Sequence, residues 1–167
     1  MTTWPSQASV LAGKSFYGEN RGPSGPDPIW ESASLVTVQL PWRAQASWDK
    51  NIKIKSLRLH RRCADSLKRV LTLIWKEFGE NQTAIERAGM HLIGGGYNWR
   101  AMRGKDILSM HSYGCAVDFD PVHNALGNQN PAMNPRVVAA FESEGWTWGG
   151  RWSPKARDGM HFQAASV

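Results

Sequence analysis

The clearest pattern of apolar positions runs between Leu59 and Gly79. Cys63, Leu67, Val70, Leu71, Ile74 and Phe78 recur at three- and four-residue steps. That spacing puts one apolar stripe on an α-helix, and Gly79 is its natural stop. A shorter helix is expected around Gln82–Arg87, ending at Gly89, and another from Pro135 to about Glu144. For the latter, Asn134 suits the cap and a proline suits the first helical position. Val137, Val138 and Phe141 give it an apolar side, and Gly145 ends it. Leu35–Leu40 reads as a short strand stopped by Pro41, and Ile52–Lys55 as another extended piece. His91-Leu92-Ile93 begins a strand running into Gly94-Gly95-Gly96, and Met160–Gln163 makes the last one.

Between residues 115 and 120 the period drops to two. Cys115, Val117 and Phe119 alternate with Ala116, Asp118 and Asp120, the mark of a strand with one apolar and one polar face. Gly114 allows the turn that feeds it. On the polar face, small Ala116 is expected to leave room beside Asp118 for a metal and a substrate. His111 precedes this strand and His161 answers it near the C-terminus. His111, Asp118 and His161 would supply N, O and N donors, the three protein ligands of a catalytic zinc site with a fourth position open.

Residues 1–34 are rich in Gly, Pro and Ser and read as loop, a segment wrapping the body and pinned by Trp4, Phe16, Tyr17 and Trp30. The remainder, 35–167, is expected to form one domain, as 167 residues allow. The nine tryptophans either fill irregular core or form a binding surface. Net charge is +6, and Lys50, Lys53, Lys55, Arg58, Arg61, Arg62, Lys68 and Arg69 are concentrated in one stretch. This balance favours an anionic partner, though such a stretch is also what a solvated helix face looks like. Two cysteines imply no disulfide framework. Cys63 falls on the helix stripe. Cys115 points away from Asp118 by strand alternation, unless a bulge turns it towards the metal.

No stretch approaches the ~20 apolar residues of a membrane span. The N-terminus lacks a basic and then apolar leader, so the chain is expected to be made soluble in the cytoplasm. Gly94-Gly95-Gly96 lacks the Lys-Ser/Thr or the third spaced Gly of a nucleotide loop. The glycines are expected to permit close backbone approach near a cleft. Of the other histidines, His60 is expected to be exposed and His91 structural, while His123 lies in the loop after the central strand.

His111-x-x-Gly114-x-Ala116-x-Asp118, followed by Asp158-x-x-His161, resembles peptidase family M15, the zinc D-Ala-D-Ala carboxypeptidases and phage L-alanyl-D-glutamate peptidases. Gly-Gly-Tyr-Asn-Trp-Arg at 95–100 and Trp-Thr-Trp-Gly-Gly at 146–150 are similar to that family too, so the resemblance covers roughly residues 57–163. It implies an α+β domain of the D-Ala-D-Ala carboxypeptidase or hedgehog-like kind: a small, mostly antiparallel sheet carrying one Zn2+, with helices packed on it. It assigns the metal to His111, Asp118 and His161, leaving Asp120 a supporting or loop-anchoring role. It makes Asp158 the general base, placed in a turn that Gly159 allows to bend. It gives Arg100 the task of holding substrate and polarising its carbonyl. Arg103 is a second candidate for substrate binding, and Ser109 a candidate to hydrogen-bond a substrate carboxylate.

The implied partner is the peptide stem of bacterial peptidoglycan, cut by a monomer after release to the wall, as by a phage lysin. The bond is L-Ala–D-Glu or, alternatively, D-Ala–D-Ala. A rival of another class is a non-catalytic, zinc-stabilised wall-binding or virion protein. A nucleic-acid binder using the Lys50–Arg69 face ranks last, because no recognised binding motif accompanies those charges, and no specific nucleic acid is expected as a partner.

Overall fold

A computed structural model describes residues 3–13 and 16–167; Met1 and Thr2, the start of the stretch read for a leader, lie outside it. The N-terminal segment is more ordered than its Gly/Pro content predicts. It holds helix α1 (Gln7–Leu11), a ribbon of β1 (Arg21–Gly22) and β2 (Gly25–Pro26), and helix α2 (Pro28–Ser34). Ser6 caps α1, and Asp27 caps α2 through the Ile29 amide. Trp4, Val10, Tyr17 and Trp30 are buried. Polar atoms lace the segment to the body: Tyr17 donates to the Ala164 carbonyl at 2.7 Å and Asn20 to that of Ser112 at 2.7 Å.

Two long strands follow, β3 (Leu35–Ala46) and β4 (Asp49–His60), paired antiparallel. Both outrun their expected lengths. Pro41 does not stop β3, because the pairing slips between Gln39 and Ala44 and the proline sits in that irregularity. There no ladder bond needs its missing N–H. Lys50, Lys53, Lys55 and Arg58 therefore lie on β4, at the edge of the sheet, and only Arg61, Arg62, Lys68 and Arg69 lie on a helix. Exposed lysines on an edge strand discourage pairing with another chain.

Helix α3 (Arg61–Glu77) buries Cys63, Leu67, Val70, Leu71 and Ile74, the expected stripe. It starts two residues later than expected because His60 is its cap, Nδ1 accepting the Arg62 amide at 3.1 Å. His60 is consequently 3% exposed and packs edge-on to Tyr17 and beside Trp30, not open to solvent as its basic neighbours suggested. After α4 (Gln82–Arg87) come β5 (Leu92–Gly95), β6 (Ala116–Phe119), α5 (Pro135–Ser143), β7 (Thr147–Trp148) and β8 (His161–Gln163).

The main sheet runs β4-β3-β5-β6-β8-β7. Among the strand pairs of this sheet in the described residues only β3–β5 is parallel, so the fold is α+β with a mixed, mostly antiparallel sheet. Helices α3 and α5 cover one face. Phe141 of α5 stacks on Phe162 of β8 with ring centres 4.0 Å apart. Strand alternation then turns the neighbours of Phe162, His161 and Gln163, to the opposite face.

Candidate metal centre

β6 and β8 are antiparallel neighbours, with Asp118 opposite His161 and Ala116 opposite Gln163. Residues opposite one another share a face, so these four side chains form one polar patch. Val117 and Phe162 point into the core between them. His111 arrives from a 3₁₀ turn, Met110–Tyr113. Ser109 Oγ accepts the His111 amide at its start, and Gly114 closes it at φ 66°, a conformation costly for any other residue. Gly94 lets β5 cross close by, since a Cβ there would stand 2.8 Å from Asp118 Cβ.

His111 Nε2 lies 3.2 Å from Asp118 Oδ2, and His161 Nδ1 lies 3.1 Å from Asp118 Oδ1. The two ring nitrogens are 3.2 Å apart. The far side of each ring fixes its tautomer. His111 Nδ1 donates to the Gly96 carbonyl at 2.8 Å, which can only accept. His161 Nε2 donates to Gln163 Oε1 at 3.0 Å. In their neutral forms both imidazoles thus aim lone pairs at each other and at a carboxylate, with no donor between them. Such a convergence attracts positive charge, whether a proton or a metal ion. The N, O, N set, with all three donor atoms within 4.8 Å of one another, suits zinc.

Electrostatics agree. Burial would raise the Asp118 carboxyl, but the charge and hydrogen bonds of His111 and His161 outweigh it and hold Asp118 well below the usual range. Burial would depress His161, but the hydrogen bond and charge of Asp118, helped by Asp158, raise it.

Asp158 sits before β8, beside this cluster. Burial raises its carboxyl above the usual value, and Asp118 adds to that against the pull of His161, His111 and Arg100. Its Oδ1 is buried with no hydrogen-bond partner in the protein. The turn is as expected but Gly159 serves it differently. Its backbone is ordinary, and a Cβ would meet Pro131 Cβ at 2.3 Å, so the glycine is there for close packing.

These groups line one cleft of about 1070 Å³. Arg100 and Arg103 lie on its wall, both exposed, with Lys105 beside them and Lys155 among the other lining residues. Ser109 also lines it, with its hydroxyl engaged in the 3₁₀ cap. Asp120 does not approach the imidazoles. It adopts φ 47°, accepts from His123 Nδ1 at 2.8 Å and holds Asn124, anchoring the loop. Cys115 is fully buried, its thiol raised by that burial and directed at the Met110 carbonyl, not at the metal cluster. Ala116 makes no opening in the cleft. It lies fully buried opposite Gln163 and is not among the residues lining the cleft.

Sequence reasoning missed Gln163, the Gly96 carbonyl and Trp152. Gln163 was reachable, because it stands two residues after His161 and hence on the same strand face. Trp152 has its ring 5.4 Å from that of His161 and its indole N–H buried without a partner in the cleft lining. Nothing local distinguishes it from the other tryptophans.

Residues 103–164 match a family model described as D-alanyl-D-alanine carboxypeptidase, of peptidase family M15. This part of the chain is similar to the M15 peptidases. The matched M15 segment contains His111, Asp118, Asp158 and His161; Arg100 and the 57–102 part of the expected resemblance fall before it. Comparison with curated proteins and with solved structures returns no match.

Proposed function

We propose that this chain is an M15-type, zinc-dependent endopeptidase that cuts the L-Ala–D-Glu bond of bacterial peptidoglycan stems, acting on the wall as a lysin does. The observation that carries the catalytic part is Asp158: a buried, unpartnered carboxylate oxygen in the same cleft as three converging donors. His111, Asp118 and His161 would hold the ion. Zinc bound to such a set supplies a Lewis acid that lowers the pKa of water and polarises a carbonyl.

Asp158 then accepts the proton of the attacking water and passes it to the leaving amine. Its raised pKa suits both steps, because a base that must also act as acid works best near the operating pH. Arg100 faces the developing negative charge on the carbonyl oxygen. Arg103, Lys105 and Lys155 bind the carboxylates that peptidoglycan stems carry, and Ser109 adds a hydrogen bond to one of them. A cleft of about 1070 Å³ is at the upper end of what encloses a drug-sized ligand. It exceeds the needs of a terminal dipeptide, which favours a substrate extending to both sides of the cut.

The family description favours a second reading, removal of a terminal D-Ala. Mass spectrometry of defined muropeptides, with chelator and with added zinc, separates the two. Zinc-dependent release of an L-Ala-terminated fragment is the expected result. Loss of one D-Ala would make the protein a carboxypeptidase. Folded, zinc-loaded protein that cuts neither would leave the non-catalytic wall-binding reading.

A further inference from the structure

We infer that Gln7 and Gln163 form a two-amide clamp that sets the tautomer and angle of His161, making the N-terminal segment part of the metal-binding apparatus. The inference rests on the zinc site proposed above. Gln163 Nε2 donates to the Ala165 carbonyl at 3.2 Å and to Gln7 Oε1 at 3.2 Å. Since a carbonyl can only accept, Ala165 fixes which end of the Gln163 amide is nitrogen. Oε1 is thereby turned to His161 Nε2, which must carry the proton, and Nδ1 keeps its lone pair for the ion. Strand β8 sets Gln163 on this polar face, and the clamp fixes the orientation of its buried amide there.

Gln7 is placed independently of that contact. Its amide donates to the Ser166 carbonyl at 2.7 Å, and the Ser166 amide returns to the Pro5 carbonyl at 3.0 Å. The N-terminal segment is thus fastened to the tail of β8 and presents Gln7 at the cleft wall. Of the two ligand histidines, His111 is locked by backbone within the domain, and His161 by an amide pair that spans the whole chain.

The clamp acts through His161, so its members are positioning residues, and the test reads metal binding directly. Zinc affinity is measured by chelator competition, and Co2+ uptake by its visible absorption, on full-length wild type, Gln163→Leu, Gln7→Ala and Gln7→Glu. Circular dichroism checks that each is folded. Loss of an outer hydrogen bond to a ligand typically weakens metal affinity roughly 10–100-fold, expected for Gln163→Leu. Gln7→Ala should cost roughly 2–10-fold, the worth of one hydrogen bond, with an altered Co2+ spectrum. Gln7→Glu keeps the acceptor and should bind like wild type. Wild type that takes up no zinc would sink the metal reading and the clamp together. Wild type that binds zinc while folded Gln163→Leu and Gln7→Ala bind it equally well would sink the clamp alone. Gln7→Ala and Gln7→Glu behaving alike would remove Gln7 from it.

Discussion

The floor and the rim of the cleft are built on opposite principles. The floor is buried polar chemistry on two paired strands and a 3₁₀ turn: His111, Asp118 and His161 are each under a tenth exposed, and each outer ring nitrogen has a partner. The rim is exposed charge on loops. Arg100, Arg103, Lys105 and Lys155 reach into the cleft without a carboxylate within ion-pair distance among the described residues. Buried polar groups in low dielectric interact strongly and tolerate little displacement. Exposed cations interact weakly, over longer range, and are screened by salt. The floor is therefore suited to chemistry and the rim to gathering an anionic substrate.

The sharpest way to break this contrast is Asp158→Asn. It should leave zinc affinity near wild type and lower kcat on muropeptides roughly 10²–10⁴-fold, the usual worth of a positioned acid–base. A variant that keeps its turnover would move the general base elsewhere.

The next effect probes what lies beneath the floor. His60 caps α3, and its amide donates to the Gly114 carbonyl at 2.7 Å, behind the His111 turn. Burial lowers its pKa from 6.5 to about 4. The unfolded chain therefore takes up a proton that the folded one refuses, so this contribution is present above pH 6.5 and lost as pH falls towards 4. The unfolding free energy from urea titration in chelator should fall with it, by about 3 kcal/mol over that interval. His60→Asn, which still offers a cap, should lose stability less steeply over the same range.

Gly94→Ala is smaller still. Its Cβ would stand 2.8 Å from Asp118 Cβ, and overpacking of this kind costs about 1–3 kcal/mol. Thermal melts should show the loss, and zinc affinity should drop as Asp118 is displaced. Lys105→Ala with Lys155→Ala should do least. KM for carboxylate-bearing stems should rise roughly 2–5-fold with kcat unchanged, and the difference should vanish at high salt. A change in kcat instead would mean that the rim takes part in the chemistry.

What the sequence determined by itself are the features that depend on near neighbours. The stripe of α3 and the caps at Asn134 and Gly79 could be read because local periodicity encodes them, and the His111, Asp118 and His161 set because two short motifs far apart in the chain together resemble those of a known family. Long-range pairing decided the rest. β3 runs through Pro41 because β4 slips its register around it, and His60 is buried because α2 and Tyr17 close over it. Ala116 is buried opposite Gln163 on the neighbouring strand, away from the cleft. Gln7, the residue proposed to steady His161, lies 154 positions away from it in sequence, and only folding brings it to the same patch. Local sequence specifies which atoms can ligate. The tertiary structure specifies where their second hydrogen bonds go, and so which lone pairs remain for the ion.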